Sequence, residues 1–253
     1  MTFNEALRHA KIYGPSDETR KIICEFPNYA RYYALNIDKC PRDDTREAAC
    51  KDPEDAYFYA KDIDRCPRDD TREAACGNPM IALFYANSID KESRDDTREA
   101  TCKSPQWIYV YAKEVDQCPR EDTREAVCKD SKYAYWYAMD VDKCPNEKTR
   151  DAACKNPEWA YWYAKDIDKK SRNDTREATY SNSLYAYLYA FNIDKNPEDE
   201  TRKAVCKDSQ CAYFYMRDID KCFHYDTWEA TRKTKYEEEY KKYLNSQMKE
   251  VII

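Results

Sequence analysis

A threonine recurs every 26 residues along this 253-residue chain, and the spacing does not slip once. The positions are Thr19, Thr45, Thr71, Thr97, Thr123, Thr149, Thr175, Thr201 and Thr227. A fixed period of this length is the signature of a repeat architecture, and an uninterrupted period leaves no room for an inserted domain. We therefore predict one continuous array: a degenerate N-terminal capping half-repeat over 1–18, eight tandem repeats over 19–226 and a C-terminal capping helix over 227–253.

Each repeat carries the start signals of two helices. One repeat reads DTREAACKDPEDAYFYAKDIDRCPRD from Asp44. Asp44 and Glu47 have the spacing of a capping box, which predicts a short helix near 45–51. The pair Asp52-Pro53 is typical of a second helix start, because aspartate caps the free N–H groups and proline at the first position has no N–H to lose.

The second helix is predicted from its apolar period. Apolar residues recur at i, i+3, i+4 and i+7, which places them on one face of a helix over 53–64: Ala56, Tyr59, Ala60 and Ile63. The equivalent of Tyr59 is a tyrosine in all eight repeats. A two-helix repeat cannot bury its apolar face alone, so neighbouring repeats must stack. The predicted fold is an all-α α-solenoid of helix-turn-helix repeats.

Composition excludes several functional classes. Two glycines in 253 residues leave no Gly-rich loop that could cradle a phosphate. Two histidines leave little material for histidine-based catalysis. The net charge of −6 opposes non-specific attraction to nucleic acid or anionic lipid. No apolar run approaches the length of a membrane span and the first residues lack a signal-peptide core, so we expect a cytoplasmic protein without a membrane partner.

An arginine and an aspartate also recur once per repeat. They include Arg46, Arg72, Arg98 and Arg124, and Asp64, Asp90, Asp116 and Asp142. Each aspartate lies eight residues before the next arginine, so we predict a structural ladder in which Asp64 pairs with Arg72 across one loop. An acidic row that imitates nucleic-acid phosphates is the alternative, but it does not explain why arginine recurs equally often.

The longer helix carries two further columns of mostly aromatic residues, and four of the five tryptophans fall in them, all within repeats four to six. Their candidate partner-binding members are Trp107, Tyr133, Trp136, Trp159, Trp162 and Tyr185. One interpretation is that these side chains are core, because the helix is wedged between its neighbours. The other is an exposed aromatic ridge of the kind that forms interface hot spots. The sequence leaves both open.

Thirteen cysteines give an unusually cysteine-rich chain, and they fall into two main phases. Seven lie in the short helix and five in the loop, with Cys211 outside both. The first interpretation is that they are reduced and fill small gaps. The second is a disulfide ladder made of the pairs Cys40 with Cys50, Cys66 with Cys76, Cys118 with Cys128, and Cys144 with Cys154. No CxxC motif and no histidine at ligand spacing accompanies them, so we expect no metal site.

The repeat resembles the short tandem α-helical repeats of unknown function found in protist, giant-virus and bacteriophage proteins, and more distantly the leucine-rich repeat variant. The resemblance rests on DTREAAC, the Asp-Pro pair, the Ala-x-x-Tyr-Ala core and the loop RDD. It covers residues 19–226, but cysteine stands here where those repeats carry a small aliphatic residue, and tyrosine and tryptophan are far more frequent. It implies a right-handed superhelix and no activity.

These observations predict a non-enzymatic protein-protein interaction module. We expect no catalytic residues and no cofactor, because no nucleophile, base and oxyanion donor recur together. The expected molecule is an acidic monomer that binds a protein partner, and the resemblance adds the possibility of a viral or phage inhibitor of a host protein, acting in the host cytoplasm. The alternative is a single-stranded nucleic-acid reader that stacks bases on the aromatic columns, against which the net charge weighs.

Overall fold

The computed structural model describes residues 1–250, and every regular element in that stretch is helical. The chain forms two compact halves, Met1–Val127 and the chain from Cys128 onward, here called the N-terminal and C-terminal halves. Short and longer helices alternate with the 26-residue period in both halves. The predicted all-α array of stacked helix pairs is therefore confirmed within each half. Repeat 1 begins at Thr19 and repeat 8 at Thr201.

The short helices are seven residues long and begin two residues before the repeating threonine. They are α2 (Asp17–Ile23), α4 (Asp43–Ala49), α6 (Asp69–Ala75), α8 (Asp95–Thr101), α10 (Glu121–Val127), α12 (Glu147–Ala153), α14 (Asn173–Thr179), α16 (Asp199–Val205) and α18 (Tyr225–Thr231).

The longer helices each begin with proline or serine. They are α3 (Pro27–Tyr33), α5 (Pro53–Tyr59), α7 (Pro79–Tyr85), α9 (Pro105–Tyr111), α11 (Ser131–Tyr137), α13 (Pro157–Trp162), α15 (Ser183–Tyr189) and α17 (Ser209–Tyr215). Each continues into a π-helical turn, in order Ala34–Asp38, Ala60–Asp64, Ala86–Asp90, Ala112–Asp116, Ala138–Asp142, Tyr163–Asp168, Ala190–Asp194 and Met216–Asp220.

The predicted capping box at Asp44 is wrong in its register. Helix α4 begins at Asp43, and its N-cap is Arg42, whose backbone is extended. The Thr45 hydroxyl donates to the Arg42 carbonyl at 3.1 Å, so the third residue of the helix bonds to the N-cap residue. Asp52 caps α5 as predicted, because its carboxylate accepts from the backbone N–H groups of Glu54 and Asp55 at 2.9 and 3.1 Å.

Every longer helix ends in the same way. After the π-helical turn the chain enters the left-handed region at Lys39, Arg65, Lys91, Gln117, Lys143, Lys169, Lys195 and Lys221, with φ between 54° and 58°. In α5 the N–H of Arg65 then donates to the Ala60 carbonyl at 2.8 Å. Glycine is the usual residue at such a position, because a Cβ atom costs about 1 kcal/mol or more there. The chain instead repeats a long polar side chain, which accounts for its low glycine content.

Small residues let the helices approach closely. The core consists mainly of alanines and one invariant tyrosine per repeat, each almost fully buried. Within each half, a longer helix packs against the short helix of the next repeat and against the next longer helix, as α13 does with α14 and α15. Burial between successive repeats is therefore what stabilises the array.

The two ends of the described chain are helical. Helix α1 (Phe3–Tyr13) packs on α2, and its Thr2 and Glu5 form a capping box. Helix α19 (Tyr236–Glu250) packs on α17 and α18. It covers the last repeat with three tyrosines: Tyr236 and Tyr240 are buried, and Tyr243 is half-buried. Residues 251–253 of the predicted cap lie outside the described residues.

Candidate interaction surface

The repeating arginine and aspartate form a buried fork, but not with the expected partner. The sequence predicted that Asp64 pairs with Arg72. In the structure Arg46 pairs with Asp64 of its own repeat at 2.9 Å, and Arg72 pairs with Asp90 at 2.8 Å. The reason is that the two helices of a repeat run antiparallel, so the start of the short helix lies beside the end of the longer helix.

The same fork recurs along the described chain. It joins Arg20 to Asp38, Arg98 to Asp116, Arg150 to Asp168, Arg176 to Asp194 and Arg202 to Asp220. The aspartate side chains are at most 4% exposed. The ladder residues of repeat 5 are Arg124 and Asp142. Arg124 donates to Glu121 at 2.5 Å in the N-terminal half. Asp142 is the last residue of the π-helical turn that follows α11 in the C-terminal half. The hydrogen bond to Asp38 raises the pKa of Arg20 further, so this guanidinium stays charged at any relevant pH.

A second buried link joins the repeating threonine to the invariant tyrosine. The Thr149 hydroxyl lies 2.9 Å from the Tyr163 hydroxyl, which also donates to the Asn146 carbonyl and accepts from its N–H. The guanidinium of Arg150 lies 5.6 Å from the centroid of the same tyrosine ring. The contact between threonine and tyrosine recurs in repeats 1 to 4 and in repeat 7, so in these repeats the two hydroxyls are occupied by the fold.

Serine enters the fork in the two repeats where the loop dipeptide Cys-Pro is replaced by Glu92-Ser93 or Lys170-Ser171. The Ser171 hydroxyl donates to Asp194 at 2.5 Å and accepts from Arg176 at 2.6 Å. Ser93 bridges Arg98 and Asp116 in the same way. In these two repeats the residue that replaces the loop proline therefore becomes part of the fork, which inspection of the cysteines alone does not reveal.

All thirteen cysteines are free in the structure, so the disulfide ladder is not formed there. The five loop cysteines are exposed. Those of the short helix are half-buried at its C-cap, and burial raises the pKa of Cys50 to about 11 and that of Cys154 to about 12. The thiols of Cys50 and Cys154 are therefore protonated at neutral pH and behave as small apolar side chains.

The six predicted partner-binding residues are neither core nor an exposed ridge. Trp107, Tyr133, Trp136, Trp159, Trp162 and Tyr185 are all half-buried. Trp136, Trp159 and Trp162 pack around Tyr135, Ala138, Ala153 and Tyr163 in the C-terminal half. In the N-terminal half, the rings of Trp107 and Phe84 lie 6.4 Å apart. Each of the six is partly covered by neighbouring residues and partly open to solvent.

A third aromatic column supports the other two, and the sequence analysis missed it. It stands two residues before the invariant tyrosine and includes Tyr57, Tyr135, Tyr161, Tyr187 and Tyr213. The ring of Tyr135 lies 5.4 Å from that of Trp159, and its hydroxyl donates to Asp166 of the next repeat at 2.9 Å. Tyr187 donates to Asp218 in the same way at 2.8 Å. Burial, followed by the bond to Asp166, raises the pKa of Tyr135. Tyr135 and Tyr187 therefore each connect one repeat to the next by a hydrogen bond.

The outermost positions of the longer helices follow a period of 52 residues rather than 26. In the even-numbered repeats a cation stands seven residues after an acid or amide: Glu54 and Lys61, Gln106 and Lys113, Glu158 and Lys165, Gln210 and Arg217. In the odd-numbered repeats the same two positions read Asn28 and Leu35, Met80 and Asn87, Lys132 and Met139, Leu184 and Phe191. Comparing each repeat with the next but one, rather than with its neighbour, reveals this signal.

Exposure follows the same alternation. On the longer helices of the described chain, every exposed large hydrophobic side chain belongs to an odd-numbered repeat: Tyr29, Tyr32, Leu35, Phe84, Met139, Leu184 and Phe191. In the even-numbered repeats the cation covers the aromatic ring beneath it, as Lys165 does at 4.7 Å from the ring centroid of Trp162. We call this side of the longer helices the outer face.

The outer face of the C-terminal half has a groove. It lies between α15 and α17, has a volume of about 450 Å³, and is lined by Leu184, Tyr187, Cys211 and Phe214 together with polar residues at its rim. Leu184 is 51% exposed and Phe191 47% exposed. Its two aromatic lining residues, Tyr187 and Phe214, have their rings 5.9 Å apart, and the ring of Phe191 lies 5.8 Å from that of Tyr187.

Within residues 1–250 there is no group of three or more histidine, cysteine, aspartate or glutamate side chains that could hold a metal ion. No helix of the described stretch is both long and apolar enough to cross a membrane. Comparison of the chain with protein families, with curated proteins and with solved structures finds no match. The evidence for the 26-residue tandem helical repeat is therefore the period of the sequence and the helices of the structure.

Proposed function

We propose that this chain is a non-enzymatic interaction protein that binds a protein partner through the outer face of its longer helices. The observation that carries the proposal is the apolar stripe of α15 and its π-helical turn, where Leu184 and Phe191 expose about half of their surface to solvent, and a groove lined by Leu184, Tyr187 and Phe214 lies beside it. Large apolar side chains grouped in this way mark interaction surfaces.

The arrangement beneath the stripe supports the same function. The half-buried Trp136, Trp159 and Trp162 are held by edge and tilted ring contacts, so they give the face a rigid shape rather than projecting from it. A surface that is ordered before binding loses little conformational entropy on binding. The tryptophans therefore support the contact surface, and the stripe beside them makes the contact.

The test is affinity capture with the full chain as bait in an extract of its source cells. The variant Leu184→Asp with Phe191→Asp places two charges on the stripe and is expected to lose the captured protein. The matched control, Asn173→Asp with Asn196→Asp, adds the same charge at two exposed positions outside the longer helices and is expected to retain it. Equal capture by both variants contradicts the proposal. So does salt-sensitive binding of a single-stranded oligonucleotide that competes with the captured protein.

A further inference from the structure

The 52-residue alternation of the outer face has no explanation in the folding of a single helix. An acid near the start and a base near the end stabilise a helix through its dipole. Yet α15 with its π-helical turn carries Leu184 and Phe191 at these positions, and α11 with its turn carries Lys132 and Met139. Both fold in the same way as α13 and α17. The alternation therefore matches something outside the repeat that carries it.

We infer that a second copy of this chain binds the outer face of the C-terminal half, with its longer helices antiparallel to the first. This inference rests on the proposed function, because it assigns an occupant to the same face. The two copies are related by a two-fold axis that lies in the plane of the interface, perpendicular to the helices. This axis places each longer helix against the same helix of the partner subunit, in the opposite direction. The apolar stripe of α15 then meets itself, with Leu184 against Phe191 of the partner subunit.

Charge complementarity selects this orientation. In the antiparallel arrangement Glu158 on α13 faces Lys165 of the partner subunit, and the contact occurs twice by symmetry. On α17, Gln210 faces Arg217 of the partner subunit in the same way. A parallel arrangement instead places α13 on α17, so that the cations Lys165 and Arg217 face each other. Like charges at an interface suppress the wrong pairing.

The period of the face favours a copy of this chain over a partner of another kind. A single amphipathic helix laid along α15 covers the stripe but does not reach the polar and charged rows of α13 and α17, which are Glu158 with Lys165 and Gln210 with Arg217. A partner must itself alternate apolar and charged rows at the spacing of two repeats, and this chain is such a surface. A shift by one repeat sets Leu184 against charged residues, so the alternation also fixes the register.

The area of the outer face sets the expected affinity of one copy for the other. Three longer helices of 12 residues each, about 18 Å long and about 10 Å apart, offer roughly 500 Å² per copy. That is the low end of specific interfaces, so the expected dissociation constant is on the order of micromolar rather than nanomolar. The sequence alone predicted a monomer, which remains the expectation only at high dilution.

The experiment is sedimentation velocity on the full chain from about 1 to about 200 µM. The wild-type chain is expected to shift from monomer to dimer across this range. Leu184→Asp with Phe191→Asp is expected to stay monomeric, while Asn173→Asp with Asn196→Asp dimerises as the wild type does. A wild-type chain that is monomeric throughout overturns the inference, as does a stripe variant that still dimerises.

A charge swap tests the antiparallel register. Glu158→Lys sets lysine against Lys165 twice per dimer and is expected to weaken association about tenfold. The double variant Glu158→Lys with Lys165→Glu restores both pairs and is expected to return to within about threefold of the wild type. Thermal melting at low concentration confirms that each variant folds. A double variant as weak as the single one overturns the register.

The two proposals fail separately. If the wild-type chain never dimerises but the stripe variant loses the captured protein, self-association is refuted and the proposed function stands. If the stripe variant changes neither capture nor sedimentation, both are refuted.

Discussion

The two sides of a longer helix obey different periods. On the inner side, Arg150, Asp168, Thr149 and Tyr163 form a network whose four residue types recur in every repeat. On the outer side, the residues alternate between even-numbered and odd-numbered repeats. A 26-residue period identifies what one repeat needs in order to fold. A 52-residue period marks residues that the folding of one repeat does not require. Comparing the two periods therefore separates folding residues from candidate binding residues within this one sequence.

The strongest test of the inner side is Asp168→Ala. It leaves the Arg150 guanidinium buried without its partner, and we expect a loss of about 3–5 kcal/mol in the free energy of unfolding. The double variant Arg150→Met with Asp168→Leu removes both charges and should recover most of that loss. Urea denaturation followed by tryptophan fluorescence measures each value. Asp151→Ala, at an exposed position, is the control, and a loss below 1 kcal/mol for Asp168→Ala contradicts the account.

The next largest effect is expected for Tyr163→Phe. This change removes the hydroxyl that contacts Thr149 and both backbone groups of Asn146, so buried polar groups lose their partner. The expected loss is about 1–3 kcal/mol by the same denaturation. Tyr225→Phe, at a position 65% exposed, should change stability by less than about 0.5 kcal/mol. An equal loss in the free energy of unfolding for Tyr163→Phe and Tyr225→Phe would contradict a stabilising role for the buried network.

Trp162→Ala probes the boundary between the two sides. The side chain is half-buried and packs on Tyr161 beneath Lys165, so we expect a loss of roughly 2 kcal/mol, about half that of a fully buried tryptophan. Leu184→Ala on the outer stripe should cost less than about 0.5 kcal/mol. A Trp162→Ala chain as stable as the wild type would show an exposed ridge, and a loss beyond 4 kcal/mol would show a core residue.

The smallest expected effect concerns the end of the longer helix. Lys195 has φ 58°, where glycine meets no Cβ clash, so Lys195→Gly should raise the melting temperature by an amount equivalent to about 0.5–1 kcal/mol. Asn196→Gly, one residue later and without a positive φ, should give no gain. A destabilised Lys195→Gly chain would show that the lysine side chain itself is required there.

The sequence predicted the helices well because their signals are local. The short helix expected near 45–51 runs from Asp43 to Ala49, and the longer helix expected over 53–64 is split only by its π-helical turn. That turn was not predictable, because lysine and arginine carry no signal for the left-handed backbone that follows it. Glycine, the usual signal, is absent from those positions.

The errors at the candidate sites came from periodicity itself. In a 26-residue repeat, an aspartate eight residues before one arginine is also 18 residues after the previous arginine, so spacing alone cannot choose between the two partners. Burial was equally undetermined for Trp136 and Trp162, because a helical period gives the direction of a side chain and not its distance from solvent. The 52-residue alternation was present in the sequence and needed only comparison of alternate repeats.

The central claim is that the outer face of the C-terminal half binds a second copy of this chain, and hydrogen exchange of the intact chain at about 1 and about 200 µM tests it most directly. The account predicts slower exchange at the higher concentration in Ser183–Tyr189 and its π-helical turn, Ala190–Asp194, and in the equivalent segments of α13 and α17. Exchange in the short helix Asn173–Thr179 should not change. Exchange that is independent of concentration everywhere, or that slows in the short helices instead, contradicts the claim.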